Sequence, residues 1–566
     1  MLLHPQIFFR IIIFSIILIP LTLIAQWSSD PTVNTPICTA DNDQLSPAIL
    51  SDGKGGAYIV WSDHRNEPTL FGGDIFMQRI NSDGEAQWTA DGMVIYQWAG
   101  GQVQPKIVSD GNGGNIIVWR SITGLFDGKL YAQRTDSTSL TLWSGFGMPV
   151  CISGVSNYHD MIATSNGGAF ISWSRDGDIY AQRIDDTGSP LWTVNGVAIC
   201  QAVNNQTYTT MAGDGNDGAF LVWKDERAGF SDPNIYAQHI AANGNISWQS
   251  DGIGVSTNTG FQQDPQILAS DNSTAYIAWH DTRNANGDIF AQRIDTSGII
   301  SWSAGGLAIC SESHEQNNVA IASDGAGGVI MSWTDQRNDQ GNIYAQRINA
   351  AGTAQWTANG IPVCTAANIQ DWSTIIADGS GGVIIVWQDQ RAGGQPDIYA
   401  QRLDASGTAL WTANGVAICT ATGEQVLPVL INDGSGGAII SWEDERQGLV
   451  QNNIYAQWVD NQGNLAGVVG IEADHPAVIS DFKLYQNYPN PFNPTTNISF
   501  EISNSAEVRL DIYNILGHYV TTVVNEKLPA GGYEYSWKPE NLPSGIYYYQ
   551  LQAGDFRDVK KMVLLK

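Results

Sequence analysis

Positive charge is scarce in this sequence. Only 27 of its 566 residues are lysine or arginine, against 56 aspartate and glutamate residues, so the formal net charge is −29 at pH 7. Nucleic-acid binding needs a basic surface that neutralises phosphates. The composition therefore predicts that the protein has no nucleic-acid partner, and the acidic surface mainly favours solubility.

Short motifs of common catalytic and metal sites are also missing. The sequence has no Cys-x-x-Cys or Cys-x-x-His pair and no Gly-x-Ser-x-Gly, and its eight histidines are scattered. Zinc sites and serine nucleophiles depend on such spacings. We therefore predict no metal, no cofactor and no catalytic residue, although carboxylates from different parts of the chain could still form a glycoside-cleaving pair.

The six cysteines lack the pattern of a disulfide framework. Each ends a similar short apolar segment, as Cys419 ends the segment 416–419. Residues that are equivalent by repeat lie one unit apart and rarely reach bonding distance. The pattern therefore predicts six buried, apolar thiols, which do not pair with one another.

The pattern of residues 1–25 predicts a cleaved signal peptide. Arg10 precedes an apolar segment, 11–24, which is interrupted by Pro20 and followed by the small residue Ala25. This segment is short for a membrane span and fits an export signal. After cleavage, no later segment is apolar enough to cross a membrane, so we expect an exported chain without a transmembrane span.

Tryptophans recur through most of the chain at intervals of 50 to 58 residues. Each of them ends a short apolar run, and a period of this length marks one supersecondary unit repeated along a chain. The eight members of the series are Trp61, Trp119, Trp173, Trp223, Trp279, Trp333, Trp387 and Trp442.

One repeat, from 370 to 419, predicts four antiparallel strands. The segments 374–377 and 383–387 flank an Asp-Gly-Ser-Gly-Gly hairpin turn, the segment 397–403 alternates apolar and polar residues, and 409–419 forms the fourth strand. Four short strands in about 50 residues are typical of a β-propeller blade. A solenoid of stacked β-units is the alternative.

The ends of the repeat array favour a closed ring. The last repeat has no fourth-strand tryptophan, but Trp27 stands at the beginning of the mature chain with the same surroundings. An N-terminal strand would complete the last blade and remove two exposed sheet edges. We predict an all-β fold whose eight-bladed propeller spans 26–466 and is closed by this strand.

Two polar patterns accompany the repeat, and two hypotheses explain them. The polar side chains could form a ring that binds a glycan, or they could hydrogen-bond blade to blade as part of the scaffold, which their repetition favours. One pattern is Asp-x-Arg after the central tryptophan, as in Asp63, Arg65, Asp389 and Arg391. The other is a glutamine before the first turn, replaced by Tyr158 in the third repeat: Gln44, Gln102, Gln206, Gln263, Gln316, Gln370 and Gln425.

Positions that differ between repeats are better candidates for function. Aromatic residues that occur in single repeats are expected on the face that also carries the two polar patterns. Exposed aromatic rings beside polar groups suit contacts with sugars or peptides. The predicted ligand-binding residues are Trp98, Phe126, Tyr158 and Trp372.

The repeat stops near Gly467, and we predict a linker at 467–483 and a small β-sandwich at 484–566. The second segment contains alternating strands after a proline-rich opening, which is stiff and extended. The opening residues are Tyr488, Pro489, Asn490, Pro491, Phe492, Asn493 and Pro494.

This C-terminal segment resembles the type A sorting domain of the type IX secretion system of Bacteroidetes and related bacteria. The resemblance rests on that opening, on 512–517 and 542–547, and on the basic end 560–566. It implies an immunoglobulin-like fold, the type IX secretion machinery as partner, and delivery through periplasm and outer membrane to the surface or the medium. An accessory domain like that of flagellar hook-capping proteins is the alternative.

Two hypotheses for function follow from these features. The first is a secreted or surface-bound propeller that binds a glycan or protein without catalysis. The second is an extracellular carbohydrate-active enzyme, a glycoside hydrolase or lyase, on the same scaffold. A non-repeated cluster of Asp, Glu, His or Tyr in a cleft would favour the enzyme, and a broad aromatic face would favour binding.

Overall fold

A computed structural model describes residues 27–564 except 68, 70–71, 123, 125–127, 146, 153, 272, 285, 339–340, 449–450, 466–482, 485–486, 488–491, 493–495, 503–504, 516–517, 529–530, 540–541 and 555. The chain divides into two compact units, Met1–Gly467 and Val468–Lys566. The predicted signal peptide lies outside the described residues, as does the predicted linker apart from Lys483.

Every regular element among the described residues is a β-strand, so the predicted all-β class is confirmed. The described residues of the first unit form eight antiparallel four-stranded sheets, which we number blades 1 to 8. In the first four blades the strands are β2 (Gln44–Ser51), β3 (Ala57–Asp63), β4 (Asp74–Ile80) and β5 (Met93–Tyr96); β6 (Gly101–Ser109), β7 (Asn115–Ile122), β8 (Lys129–Thr135) and β9 (Met148–Cys151); β10 (Val155–Ala163), β11 (Ala169–Arg175), β12 (Asp178–Ile184) and β13 (Val197–Cys200); β14 (Gln206–Gly213), β15 (Ala219–Asp225), β16 (Asn234–Ile240) and β17 (Ile253–Ser256).

The other four blades repeat this order of strands. They consist of β18 (Gln262–Asp271), β19 (Thr274–Asp281), β20 (Asp288–Asp295) and β21 (Leu307–Cys310); β22 (Gln316–Ser323), β23 (Val329–Asp335), β24 (Asn342–Ile348) and β25 (Ile361–Cys364); β26 (Gln370–Ala377), β27 (Val383–Asp389), β28 (Asp397–Leu403) and β29 (Val416–Cys419); β30 (Gln425–Asn432), β31 (Ala438–Asp444), β32 (Asn453–Val459) and β1 (Thr35–Cys38). The first strands of consecutive blades contact one another, and β30 contacts β2 in the same way, so the ring is closed.

The N-terminal strand closes the last blade, as predicted. β1 pairs antiparallel with β32, with Thr35 opposite Ala456. The indole N–H of Trp27 donates to the carbonyl of Ser82 in blade 1, over 2.7 Å. The two ends of the repeat array are therefore joined by backbone pairing, which leaves no free edge at β32.

The eight periodic tryptophans form the core between blades. All of them are completely buried. Trp387 of blade 7, for example, packs with Ile330 and Ile343 of blade 6 in one apolar cluster. Each tryptophan thus ties one blade to the preceding one.

The six cysteines are buried and free, as predicted. Their surroundings are less apolar than predicted, because in five of them an arginine Nη2 atom lies 3.0–3.3 Å from the sulfur. Burial is the main cause that raises the pKa of the Cys200 thiol to about 12. Such thiols remain protonated and are poor nucleophiles.

The second unit is a β-sandwich. One sheet has the order β33 (Lys483–Leu484), β34 (Thr496–Ile502) and β37 (Gly531–Trp537), and the other the order β36 (Tyr519–Leu528), β35 (Ala506–Asn514), β38 (Gly545–Ala553) and β39 (Phe556–Leu564). Both sheets contribute to one apolar core. In the proline-rich opening, Phe492 is buried in that core and its N–H donates to the carbonyl of Val563, over 2.9 Å. The other six residues of that opening lie outside the described residues.

Candidate ligand-binding site

The repeated glutamines face the connectors that lead into their own blades. The amide of Gln44 donates to the carbonyl of Asn42 over 2.9 Å, and that of Gln370 donates to the carbonyl of Ala367 over 3.0 Å. Gln102, Gln206, Gln316 and Gln425 make equivalent bonds and are completely buried. These side chains satisfy backbone carbonyls and offer little to a ligand.

In the fifth blade the structure corrects the sequence assignment. The buried glutamine of the repeat is Gln262, which pairs with Asp281 and donates to the carbonyl of Gly260 over 3.0 Å. Gln263 instead points to the other side of the strand, where its amide lies 3.3 Å from the Nδ1 atom of His280. The assignment was one residue off because β18 contains an extra irregularity between Ala269 and Asp271, which lengthens the segment before the turn.

The Asp-x-Arg residues form a clamp between blades. Asp63 is completely buried and accepts hydrogen bonds from the Trp61 indole over 2.7 Å and from Nε of Arg65 over 2.8 Å. Arg65 also lies 3.1 Å from the sulfur of Cys38 in the preceding blade. Asp389 and Arg391 repeat this geometry in blade 7. Such bidentate pairs are strong and directional, which agrees with the scaffold hypothesis for these residues.

Blades 2 and 3 build this region differently. The aspartate is absent there, and the buried indole N–H groups of Trp119 and Trp173 have no hydrogen-bond partner among the described residues. In blade 3, the guanidinium of Arg175 lies 3.7 Å from the centre of the Tyr180 ring and 3.3 Å from the Asn195 carbonyl oxygen. Arg175 thus takes the place of the clamp arginine from a different position of the chain.

In seven blades the first strand contains a β-bulge just after its buried glutamine. The pairing register shifts by one residue there, as between Asp371 and Thr374 in β26. The bulged residue has a left-handed backbone in seven blades: Ser46 (φ 56), Gln104 (φ 55), Tyr208 (φ 54), Asp264 (φ 51), Asn318 (φ 52), Trp372 (φ 51) and Leu427 (φ 52). Bulges re-aim side chains, and a left-handed backbone is unfavourable for bulky residues.

Tyr158 belongs to this bulge series and does not replace the buried glutamine. In β10, Val155 pairs with Arg175 at the place where most blades pair glutamine with aspartate. The register shifts between Val155 and His159, and Tyr158 lies within the shifted segment. The eight bulge positions therefore carry seven different residue types, and the positions on either side of them vary as well.

The bulge residues line two adjoining cavities formed by the first strands. One cavity, of about 540 Å³, is lined by Ser46, Gln104 and Tyr158. The other, of about 640 Å³, is lined by Asn318 and Trp372. Because first strands of all eight blades contribute, the cavities lie at the centre of the ring, and we call them together the central channel.

Aromatic rings form part of the channel wall. The rings of Tyr158 and Tyr208 lie with their centres 4.0 Å apart, and Trp372 is 55% exposed. Burial, followed by the hydrogen bond to Tyr208, raises the pKa of the Tyr158 hydroxyl above its usual range. Tyr158 therefore keeps its proton at neutral pH, and the two rings lie side by side in the wall.

Two carboxylates line the same cavity as Tyr158. Asp160 accepts hydrogen bonds from the Thr210 hydroxyl and the Met211 N–H, each over 3.0 Å, and lies 3.5 Å from the ammonium of Lys106. Burial raises the pKa of Asp264, although His280 and Lys224 oppose the shift. A lysine also lies near Asp264. The Lys224 ammonium pairs with Glu226 over 2.9 Å and lies 5.0 Å from the centre of the Phe261 ring.

The four predicted ligand-binding aromatics have different positions. Tyr158 and Trp372 line the channel. Trp98 is 57% exposed but lies outside the lining of both cavities, and Phe126 lies outside the described residues. Sequence reasoning missed Tyr208, Asp264 and Leu427. The signal that could have revealed Asp264 and Leu427 is Gln-x-x-Pro, which recurs in four repeats and ends at Pro47, Pro105, Pro265 and Pro428; Tyr208 is followed by Thr209 and lacks it.

Metal and membrane features were also sought within the described ranges. There, no group of three or more His, Cys, Asp or Glu side chains is arranged to hold a metal ion. Over those same ranges, no helix combines the length and the hydropathy that crossing a bilayer requires.

Residues 486–565 match the family of secretion system C-terminal sorting domains. The second unit is therefore such a domain, and the protein is exported by type IX secretion to the cell surface or the medium. No curated protein has a significant sequence match to the chain.

Several solved structures resemble the chain at low identity. An ulvan lyase of polysaccharide lyase family PL25 is 10% identical with a TM-score of 0.38, and the match covers 65% of this chain and 96% of the lyase. A protein of unknown function from Dyadobacter fermentans is 13% identical with a TM-score of 0.38, covering 66% and 97%. PorZ, a surface component of the type IX secretion system of Porphyromonas gingivalis, is 12% identical with a TM-score of 0.33, covering 94% and 71%. Likenesses this weak say nothing about ligand or activity.

Proposed function

We propose that this protein is an exported glycan-binding propeller whose binding site is the central channel. The observation that carries the proposal is the convergence of the bulge residues of all eight blades, which include seven different residue types, on one channel. Aromatic faces with a few polar groups are the usual lining of ligand sites. Trp372 and Tyr208 supply such faces, and Gln104 and Asn318 supply hydrogen-bonding amides.

Export agrees with a ligand outside the cell. The sorting domain at 486–565 takes the propeller to the cell surface or beyond, where polysaccharides are abundant. The acidic chain, with its net charge of −29, is unsuited to polyanionic nucleic acids. A neutral or weakly acidic glycan that approaches the aromatic wall fits this setting better.

The test is binding of the full mature protein to an array of plant, algal and bacterial polysaccharides. We expect binding that Trp372→Ala weakens by about tenfold or more, since each 1.4 kcal/mol of lost contact is a factor of ten. Trp98→Ala is the matched control, because Trp98 is equally exposed but lies outside the channel lining. Binding that depends on Trp98 and not on Trp372 would place the ligand elsewhere, and no binding to any glycan would refute the glycan ligand.

A carbohydrate-active enzyme is the second candidate, and Asp264 is the observation that favours it. Its raised pKa suits a proton donor, and Asp160 lies in the same cavity as a second carboxylate. Release of reducing ends or unsaturated products from a polysaccharide panel would support this candidate. If Asp264→Asn abolishes the release of these products but still binds the polysaccharide, the catalytic site lies in the channel. If a polysaccharide binds but no product is released from it, the protein is a non-catalytic binding protein.

A further inference from the structure

We propose that the central channel holds two subsites, separated by Tyr208 and Leu427, which take consecutive units of one glycan chain. This inference rests on the proposed glycan-binding function. It adds how many units are recognised, which residues recognise each of them, and which residues divide the site.

The division follows from which residues the two cavities share. Five residues line both cavities: Tyr208, Asp264, Gln266, Leu427 and Val429. Ser46, Gln104 and Tyr158 line only the first cavity, and Asn318 and Trp372 line only the second. A residue that borders both spaces stands between them, so the shared side chains form the partition.

The positions of Tyr208 and Leu427 in the ring agree with a partition that crosses the channel. Tyr208 is in the first strand of blade 4 and Leu427 in the first strand of blade 8. Because the eight blades form a closed ring, blades 4 and 8 lie opposite one another. Both side chains are well exposed, at 38% and 48%. A chain that enters the channel therefore has to pass between an aromatic and an aliphatic group.

The two subsites differ in chemistry, so each would recognise its unit differently. The first contains the Tyr158 ring, the Gln104 amide and the Asp160 carboxylate, and it is rich in hydrogen-bonding groups. The second contains the exposed Trp372 indole and the Asn318 side chain. We expect directional hydrogen bonds in the first subsite and stacking of a sugar face in the second.

The partition residues share the strained backbone of the whole bulge series, which forms the channel lining. Tyr208 and Leu427 have φ angles of 54° and 52°, in the left-handed region. Bulky residues are disfavoured there relative to the right-handed form, whereas glycine and asparagine fit at little cost. Strained residues that persist against a cheaper alternative commonly mark functional sites.

The experiment is isothermal titration of the full mature protein with four series of saccharides. These are the cello-, laminari-, xylo- and oligogalacturonate series, each from one to six units. In the series that binds, we expect affinity to rise by about tenfold from one unit to two and to change little beyond three. Tyr158→Ala and Trp372→Ala should each reduce the affinity for two units to about that for one.

A blocking variant tests the partition itself. Leu427→Trp enlarges the side chain at a bulge position where Trp372 already shows that tryptophan is accepted at φ 51. It should weaken binding of chains of two or more units and leave single units nearly unaffected. Trp98→Ala should change none of these affinities, and thermal melting checks that each variant is folded.

The outcomes distinguish failure of the two-subsite inference from failure of the glycan-binding function. If affinity is the same for one unit and for six, or if Trp372→Ala weakens all lengths equally, the two-subsite inference is overturned while glycan binding stands. If no series binds, the glycan-binding function fails, and the subsites fail with it.

Discussion

One position in each blade joins a fixed backbone with a variable side chain. The bulged residue of the first strand has a φ near 50° in blades as different as those of Asn318, Leu427 and Trp372. Proline follows the bulge in four blades, which is compatible because a bulge leaves one N–H unpaired. The scaffold therefore sets where these side chains point, and the residue type sets what the channel presents.

Trp372→Asn is predicted to stabilise the fold while it weakens glycan binding. Asparagine is the residue that blade 6 has at the same bulge, and it adopts the left-handed region readily. We expect a gain of up to about 1 kcal/mol in the free energy of unfolding, measured by urea denaturation. Trp98→Asn serves as the control and should show no gain. A lower stability of Trp372→Asn would mean that the indole is needed for packing.

Glu443 is predicted to make stability depend on pH at the junction of blades 8 and 1. Burial, helped by the charges of Asp43 and Glu445, raises its pKa from 4.5 to about 7, although the Ser46 N–H donates to it over 2.6 Å. The folded state then binds the proton more tightly than the unfolded state. This group's contribution to stability is therefore present below pH 4.5 and is lost as pH rises towards 7.

The variant Glu443→Gln keeps an acceptor for Ser46 but removes the titration. Melting temperatures between pH 4.5 and 7 should fall less steeply in this variant than in the natural protein. Asp83→Asn, at an exposed carboxylate that is not among the charges acting on Glu443, should change the slope much less. Parallel profiles for Glu443→Gln and the natural protein would exclude Glu443 as the titrating group.

At the scale of the element, the tryptophan, aspartate and arginine of one blade act as a unit. The second strand ends in Trp387 and Asp389, and Arg391 follows in the next loop, so one short segment supplies all three groups. Arg391 then contacts Cys364 of blade 6 over 3.3 Å and the Asn414 carbonyl over 2.7 Å. The repeated motif thereby links strand, loop and neighbouring blade.

Asp389→Asn is predicted to destabilise the propeller by about 3 kcal/mol, since removing one partner of a buried ion pair leaves the other charge unmatched. Arg391 is 21% exposed, so the effect should be at the lower end of the range for such pairs. The control is Asp404→Asn in an exposed turn, where we expect a smaller loss. Equal losses in urea denaturation would contradict a special role for the clamp.

At the scale of the whole molecule, ring closure depends on the first strand of the mature chain. Deleting 27–38 removes β1 and the Trp27–Ser82 hydrogen bond, and it exposes the edge of β32. We expect a lower melting temperature and aggregation, because an unpaired edge is a template for association. A chain that begins at Trp27 is the control. Equal melting temperatures of the two proteins would contradict closure by β1.

Export is a second property of the whole molecule, and it should separate from folding of the propeller. Deleting 484–566 removes the sorting domain, so the propeller should accumulate in the periplasm with its thermal transition intact. Cell fractionation and melting of the purified product measure the two properties. Normal delivery of the shortened protein to the surface would contradict the role of the domain.

The periodic features were predictable from the chain because they depend on local pattern and count. Turn residues and apolar runs identified the strands, and the missing tryptophan of the last repeat pointed to Trp27. The bulges were not predicted, since one extra residue in a short strand leaves little trace in the apolar pattern. The sequence pattern therefore points to Gln263 where the structure has Gln262, and it places Tyr158 with the glutamines although Tyr158 belongs to the bulges.

The sequence by itself determined the strand order, the ring with its N-terminal closure, and the sorting domain, because each is encoded in a recurring or contiguous segment. Only the tertiary structure decided which variable residues meet. Tyr158, Tyr208, Trp372 and Leu427 come from four blades and share the central channel because a bulge aims each of them inward. This proximity depends on the strand register and on the geometry of the ring, which bring residues that are hundreds of positions apart to one cavity.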